Sequence, residues 1–169
     1  SANLDGDAGG EFTTQREVKK VLVVAITSNR GLCGAFNSNV IKEVKNRSVF
    51  YAGKQVDVFA IGKKGNDTLS KTHSVIDNQS PVFDNLTFEN IAVIAEALTQ
   101  KFISGDYDKI ELVYNQFKNP ATQIVQTEQF LPLEALKSDK TASRPAIYIE
   151  EAMLDKLPII KNTKEIKNE

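Results

Sequence analysis

Residues 21–37 have the sequence VLVVAITSNRGLCGAFN, and this stretch decides how the chain folds. Its first six residues are all apolar, a pattern typical of a strand that is buried on both faces of a sheet. The glycines at 31 and 34 let the backbone reverse where a side chain would clash. Beyond them, four apolar residues have the spacing of one helical face: Phe36, Val40, Ile41 and Val44. The stretch therefore predicts a strand, a loop and a helix, the opening unit of an α/β domain.

The rest of the chain continues the alternation of strands and helices. After the first strand, over residues 21–27, further strands are predicted over residues 55–61, 73–77, 109–117 and 122–130. Helices are predicted over residues 36–46, 63–71 and 88–104. We expect Asn37 or Ser38 to cap the first helix and Thr87 to cap the third, because short polar side chains accept hydrogen bonds from N-terminal amides. Gly62 is expected to end the second strand and Gly105 the third helix.

This order of elements predicts the fold class. Strands alternating with helices imply right-handed crossovers and a parallel sheet with helices on both faces. The last two strands follow each other closely through a turn at Asn119-Pro120, so they should form an antiparallel hairpin at the sheet edge. We therefore predict an α/β fold, a three-layer α/β/α sandwich whose Rossmann-like, mostly parallel sheet has an antiparallel edge hairpin. Six phenylalanines are assigned to core faces: Phe36, Phe59, Phe88, Phe102, Phe117 and Phe130.

Composition divides the chain into three regions and limits its function. Residues 1–17 are polar and form a predicted flexible lead-in, residues 18–136 a globular domain, and residues 137–169 a loop and C-terminal tail. Of the 169 residues, 41% are hydrophobic and 25% charged, which is typical of a globular protein. The net charge of −1 argues against nucleic-acid binding. No apolar stretch approaches the roughly 20 residues of a membrane span, and no signal peptide opens the chain.

No catalytic, cofactor or metal site is predicted. His73 is the only histidine, and no second cysteine or histidine lies near Cys33, the only cysteine, at metal-ligand spacing. The lone thiol excludes an intrachain disulfide and suits a reducing interior. Asp57 and Glu111 lie within predicted strands, so they cannot meet at the carboxyl edge of the sheet, where Mg²⁺-dependent chemistry would need them.

The loop from Ser28 to Gly34 leaves one alternative open. Backbone N–H groups at the start of the following helix could hold a phosphate. The loop lacks the lysine after Gly34 that a P-loop needs, and the second strand ends in basic residues instead of the acidic residue of a dinucleotide site. An interaction module is favoured, with a small nucleotide- or phosphate-binding α/β enzyme that uses this loop as the alternative.

Four motifs carry a resemblance to a known family. Residues 27–39, TSNRGLCGAFNSN, resemble the T-S-D-R-G-L-C-G signature of the γ subunit of F-type ATP synthase. Residues 61–65, IGKKG, are similar to its I-G-x-K-G, and residues 112–117, LVYNQF, to its L-V-Y-N-x-F. The LPL at residues 131–133 resembles its L-L-P-L. The resemblance covers about residues 21–133, and it departs from the family where Asn29 replaces the usual aspartate.

The resemblance implies a non-catalytic rotor subunit, since the family's catalytic residues lie on the β subunit. It implies a globular foot of the central stalk that binds the ε subunit and the c-ring. The foot would turn within the α and β subunits and transmit torque during proton-driven ATP synthesis. Such a subunit would be peripheral on the cytoplasmic face of the bacterial inner membrane, which it would reach only through the c-ring. The long terminal helices of the family are missing, so we expect this chain to hold the globular part alone and to be monomeric.

The family signature also gives candidate partner contacts. They are Arg30, Gly31, Leu32, Cys33 and Gly34. In the family this loop lies next to the shaft and faces the moving parts of the catalytic subunits. We expect Arg30 to be exposed for a charge contact and Leu32 to pack inward.

Overall fold

The computed structural model describes residues 10–31, 34–119 and 122–133. In order, these residues form β1 (Lys20–Ile26), α1 (Gly34–Phe50), β2 (Gln55–Ile61), α2 (Lys63–Leu69), β3 (Val75–Asn78), a 3-10 helix (Ser80–Asp84), α3 (Phe88–Ile103), β4 (Lys109–Asn119) and β5 (Thr122–Leu131). Residues 10–13 are also helical. Within the described residues, no helix is long and apolar enough to cross a bilayer.

The five strands form one sheet in the order β3-β2-β1-β4-β5. Strand β1 lies at the centre and pairs in parallel with β2 on one side, Val21 opposite Val56, and with β4 on the other, Val21 opposite Lys109. Strand β3 continues the parallel arrangement, whereas β5 pairs with β4 in antiparallel orientation at the edge. The predicted mostly parallel sheet with an antiparallel edge hairpin is confirmed.

Two hydrophobic cores cover the two faces of the sheet. Because side chains alternate along a strand, Leu22, Val24 and Ile26 face one core, which also contains the apolar face of α3. Val21, Val23 and Ala25 face the other core, where α1 and α2 pack. All six of these β1 residues are at most 2% exposed. The three-layer sandwich is confirmed, and so is the reading of the apolar run as a strand buried on both faces.

The start of α1 differs from the prediction. The helix begins at Gly34 and ends at Phe50, so Asn37 and Ser38 lie inside it and the prediction that one of them caps it was wrong. The Asn37 side chain bonds instead to Ser28, nine residues earlier. At α3, by contrast, Thr87 is the predicted N-cap, and its hydroxyl accepts a hydrogen bond from Asn90 N.

Smaller corrections concern Phe88 and His73. Phe88 was assigned to the core but is 44% exposed, because it is the first residue of α3 and precedes the buried face that begins at Ile91. His73 was predicted to begin the third strand, but it lies in the turn after α2, where its backbone N–H donates to Leu69 O. Strand β3 begins two residues later, at Val75. The Phe117 side chain and the turn at Pro120 lie outside the described residues, and the division into residues 1–17, 18–136 and 137–169 stays a prediction.

A buried ion pair fastens α1 to the sheet. Arg47 on α1 donates from Nε and Nη2 to the two carboxylate oxygens of Glu111 on β4, at 2.9 and 2.8 Å. The side chain of Glu111 is only 4% exposed. Tyr51 donates its hydroxyl to the same carboxylate at 2.6 Å, and burial together with this bond raises the pKa of Tyr51 to about 12. The carboxylate is thus buried with a cation and a second donor.

Removing one partner of this ion pair should lower the free energy of unfolding more than removing both charges together. In Arg47→Met the Glu111 carboxylate stays buried without its cation, and we expect the free energy of unfolding to fall by about 3 kcal/mol. The double variant Arg47→Met/Glu111→Gln leaves no unpaired charge and should recover at least about 1 kcal/mol of that loss. Urea unfolding of the single and double variants measures both values. A double variant no more stable than Arg47→Met would contradict this account.

Candidate functional site

The candidate site lies at the carboxyl end of the parallel strands, where ligands bind in most open α/β sheets. The β1–α1 loop begins there at Thr27, and the turn from β2 into α2 lies beside it at Gly62. The backbone ties the two together, since Thr27 N donates to Ile61 O at 2.8 Å. The polar groups of these two loops decide whether the site could hold a ligand.

The β1–α1 loop occupies the N-terminus of α2. Asn29 Oδ1 accepts from Lys63 N at 2.9 Å, and Ser28 O accepts from Lys64 N at 3.0 Å. Thr27 Oγ1 accepts from Gly65 N at 2.9 Å. The first three amides of α2, the donors that a phosphate would need, are therefore all bonded to protein oxygens. This arrangement disfavours a phosphate site at the start of α2.

Asn37 fixes the other side of the loop. Its Oδ1 accepts from Ser28 N at 3.0 Å, and its Nδ2 donates to Ser28 Oγ at 2.9 Å. Ser28 and Asn37 are both buried, at 3% and 5% exposure. Because a buried polar group without a partner is costly, this reciprocal pair holds the loop against the first turns of α1.

Asn29 uses both ends of its side-chain amide. While Oδ1 accepts from Lys63 N, Nδ2 donates to Ser80 O at 3.0 Å. Ser80 in turn accepts at its hydroxyl from Gly62 N, also at 3.0 Å. An ionised aspartate only accepts hydrogen bonds, so the aspartate usual in the resembling family could not make the Ser80 contact. Asparagine at this position links the loop to both neighbouring segments.

Gly62 in the β2–α2 turn and Gly65 in the first turn of α2 allow this close packing. A Cβ on Gly62 would lie 2.2 Å from Thr27 O, and one on Gly65 would lie 3.0 Å from the Thr27 side chain. Sequence reasoning used Gly62 as a strand end and as part of the IGKKG motif, and it did not identify Thr27, Asn29 and Ser80 as residues that fix the loop. The glycine spacing was the one local signal of a close approach.

The carboxylates lie away from this loop, as predicted. Asp57 accepts hydrogen bonds from Tyr107 OH at 2.7 Å and Gln55 Nε2 at 2.8 Å. Burial favours a higher pKa for Asp57, but these donors outweigh it and hold the pKa below its usual value. Glu111 is bound to Arg47. Among the described residues, no group of three or more histidine, cysteine or acidic side chains could hold a metal ion.

His73 is also placed away from the loop. It follows α2, and its Nδ1 lies 2.7 Å from Thr72 Oγ1. Partial burial and the positive charge of Lys45 lower the pKa of His73. The imidazole therefore lies at the opposite end of α2 from the loop, where it cannot act as a base on anything bound there.

Three of the five predicted contact residues lie in the described part of the chain. Arg30 and Gly31 are exposed at the tip of the loop, where Gly31 has a φ of +70°, and Gly34 begins α1. Leu32 and Cys33 lie outside the described residues, so the inward packing of Leu32 stays a prediction. The geometry thus presents Arg30 on a loop whose preceding residues, from Thr27 to Asn29, are all fixed by hydrogen bonds.

Comparisons with known sequences find ATP synthase gamma chains. A family model described as ATP synthase matches residues 2–162. The ATP synthase gamma chain of Flavobacterium psychrophilum is 70% identical over 169 residues, which are 100% of this chain and 59% of that protein. The gamma chain of Cytophaga hutchinsonii is 38% identical over 159 residues, 89% of this chain and 54% of that protein. The chain thus spans little more than half the length of these relatives.

Solved structures share the fold. A chain in the cryo-EM structure of the Tetrahymena thermophila mitochondrial ATP synthase central stalk and c-ring matches with a TM-score of 0.66 at 20% identity, covering 100% of this chain and 87% of that chain. A chain in the Euglena gracilis mitochondrial ATP synthase, OSCP/F1/c-ring, matches with a TM-score of 0.63 at 16% identity, covering 92% and 62%. At these identities, both matches show a shared fold and nothing more specific.

Gly62 and Gly53 provide a matched test of the close packing at this site. Both have positive φ, at 122° and 88°, but a Cβ on Gly53 would meet nothing within 4 Å. We expect Gly53→Ala to lower the free energy of unfolding by about 1 kcal/mol, the cost of the backbone conformation. Gly62→Ala adds the clash with Thr27 O and should cost at least about 3 kcal/mol. Urea unfolding compares them, and equal losses would show that the clash is relieved without cost.

Proposed function

The chain belongs to the ATP synthase gamma chain family, and from this membership we propose that it is the globular part of the central stalk in the rotor of an F-type ATP synthase. In this role it carries no catalytic site and transmits torque between the membrane c-ring and the catalytic α and β subunits during proton-driven ATP synthesis. Because the chain spans little more than half of its relatives, the activity belongs to the longer protein and its complex.

The observation that carries the proposal is the match of the ATP synthase family model to residues 2–162. A nucleotide-binding enzyme on this fold would need free N–H donors beside the carboxyl end of β1. Here the amides of Ser28, Lys63, Lys64 and Gly65 are bonded to side-chain and backbone oxygens of the protein itself. These four amides are not available to a ligand, and the family membership does not favour the nucleotide- or phosphate-binding alternative.

The packing of the body suits the transmission of torque. The central strand is fully enclosed between two cores, and protein interiors of this kind are close-packed and hard to compress. The bidentate pair between Arg47 and Glu111 further holds α1 onto the sheet. A body built in this way turns as one piece when force is applied at its surface.

The proposed partners are the ε subunit, the c-ring, and the α and β subunits. The protein would be peripheral on the cytoplasmic face of a bacterial inner membrane and would reach the membrane only through the c-ring. Interfaces of this permanent kind bury on the order of 2,000 Å² or more. Alone, the globular domain is proposed to be monomeric and to need no cofactor.

Arg30 is the proposed charge contact to the catalytic subunits, together with its neighbours Gly31, Leu32, Cys33 and Gly34. It is exposed, and it directly follows the residues that fix the loop. A flexible loop would lose conformational freedom on binding. A loop already held by Asn29 and Ser28 would lose little, which favours a defined contact at Arg30.

Replacing Arg30 should separate coupling from stability. We expect Arg30→Ala to change the free energy of unfolding by no more than about 0.5 kcal/mol, since the side chain is exposed. In a complex assembled with α, β and ε and carrying the full-length gamma chain, the same variant should lower the ATP synthesised per proton translocated. Lys54→Ala, an exposed cation just before β2, is the control and should leave coupling unchanged. A large loss of stability in Arg30→Ala, or equal coupling in both variants, would reject the assignment.

Titration calorimetry tests the absence of a nucleotide site directly. We expect ATP, NAD, FMN and inorganic phosphate to show no saturable binding at micromolar concentration, because the amides of Ser28, Lys63, Lys64 and Gly65 are already bonded to the protein. Saturable binding of any of them that is lost in Asn37→Ala, a variant in which the loop loses its fixed geometry, would favour the enzyme alternative over a rotor subunit.

A further inference from the structure

The segment before β1 is clamped to the end of α3 by Arg16. Its Nη1 donates to Tyr107 O at 2.9 Å and its Nη2 to Phe102 O at 2.8 Å. The guanidinium carbon also lies 4.3 Å from the centre of the Phe102 ring. We call these three residues the Arg16 latch. It joins parts of the chain that are 86 and 91 residues apart.

The chemistry of the latch is specific to arginine. Phe102 lies in the last turn of α3, where carbonyls lack partners within the helix and a cation is favoured. The planar guanidinium can donate to two carbonyls at once while its face stacks on a ring. Lysine would keep the charge but could not make both hydrogen bonds and the stacking contact in this geometry.

A second tie lies just beyond the latch. Asp108 Oδ2 accepts from the backbone N–H groups of Lys19 and Lys20, both at 2.9 Å, and Asp108 N donates to Lys20 O at 2.8 Å. Burial favours a higher pKa for Asp108. The two backbone donors and the nearby charges of Arg16 and Lys20 outweigh burial and hold the pKa of Asp108 below its usual value. The carboxylate is therefore a charged acceptor at neutral pH.

The end of the described body meets the same segment. Leu133, which follows β5, donates its N–H to Phe12 O at 2.6 Å. Phe12 packs against the core on the α3 side of the sheet. The residues that lead into β1 and the residue that follows β5 are thus joined next to the latch.

We propose that the Arg16 latch is the joint that fixes the direction of the segment before β1 relative to the globular body. Residues 14–19 form neither helix nor strand, so their own backbone does not hold a direction. With the latch closed, a twist applied to this segment reaches α3 and the sheet. With the latch open, the Phe12–Leu133 bond and Asp108 still hold the two ends of the segment, and the residues between Phe12 and Lys19 absorb the twist. This inference rests on the proposed rotor function, whereas the closed latch itself does not.

Hydrogen exchange followed by NMR tests the latch in this chain. We expect Arg16→Lys to speed exchange at the amides of Lys19, Lys20 and Leu133 by about tenfold, the effect of losing charge-assisted hydrogen bonds. Amides in the centre of β1, such as Val23, should keep their rates. Arg30→Lys, the same substitution at an exposed arginine, is the control and should change the exchange rates of neither group of amides.

Two results would overturn the proposed role of the Arg16 latch. If all amides of Arg16→Lys exchange faster by the same factor, or the domain unfolds, Arg16 contributes to general stability and is no joint. If no amide changes, the segment is held without it. Either result leaves the proposed rotor function standing, because that function depends on the family and the loop.

The mechanical consequence is tested in a complex of α, β, ε and the full-length gamma chain. With a probe attached to the globular body, Arg16→Lys should increase the variance of the body's angle at least about twofold while the ATP hydrolysis rate stays unchanged. An unchanged variance would overturn the role in torque even if the exchange result holds. Failure of the unaltered gamma chain to assemble with α, β and ε would overturn the rotor function instead.

Discussion

The central strand β1 is enclosed by protein on every side, and the rest of the structure depends on this constraint. Its backbone is bonded to β2 and β4, and its side chains alternate between the two cores. From Val21 to Ile26 every residue is buried, so these residues must be apolar and helices must cover both faces. Burial of this kind contributes roughly 25 cal/mol per Å² of apolar surface, which favours covering both faces of the sheet with helices.

The same enclosure determines the chemistry at the end of the strand. As β1 leaves the core at Thr27, its backbone and side-chain groups are still buried and need partners. The N-terminus of α2, Asn37 on α1 and Ser80 beyond β3 supply them. The amides of Ser28, Lys63, Lys64 and Gly65 are here used to hold the residues from Thr27 to Asn29 in place. Arg30, which is exposed, directly follows these fixed residues.

Sequence reasoning was most successful where the signal is local. Period and composition gave every strand, the sheet order at its antiparallel edge, and the Thr87 cap, because each depends on neighbours within a few residues. It failed for Asn37, whose side chain is used by Ser28 instead of a helix end. The pairing of Arg47 with Glu111 spans 64 residues and has no local pattern at all. Buried polar pairs follow from the fold and cannot be read before it.

The same limit explains why the segment before β1 was taken for a loose lead-in. Its composition is polar, and nothing in residues 10–19 indicates a partner. A single bond between a segment and a folded body leaves rotation about that bond free, so several contacts are needed to hold the direction of the segment. Three sets of contacts connect this segment to the body: Arg16 with Phe102 and Tyr107, Asp108 with Lys19 and Lys20, and the Phe12–Leu133 bond. Together these contacts connect the residues from Phe12 to Lys20 with parts of the chain that lie 86 or more residues further on, and no local pattern in the segment indicates them.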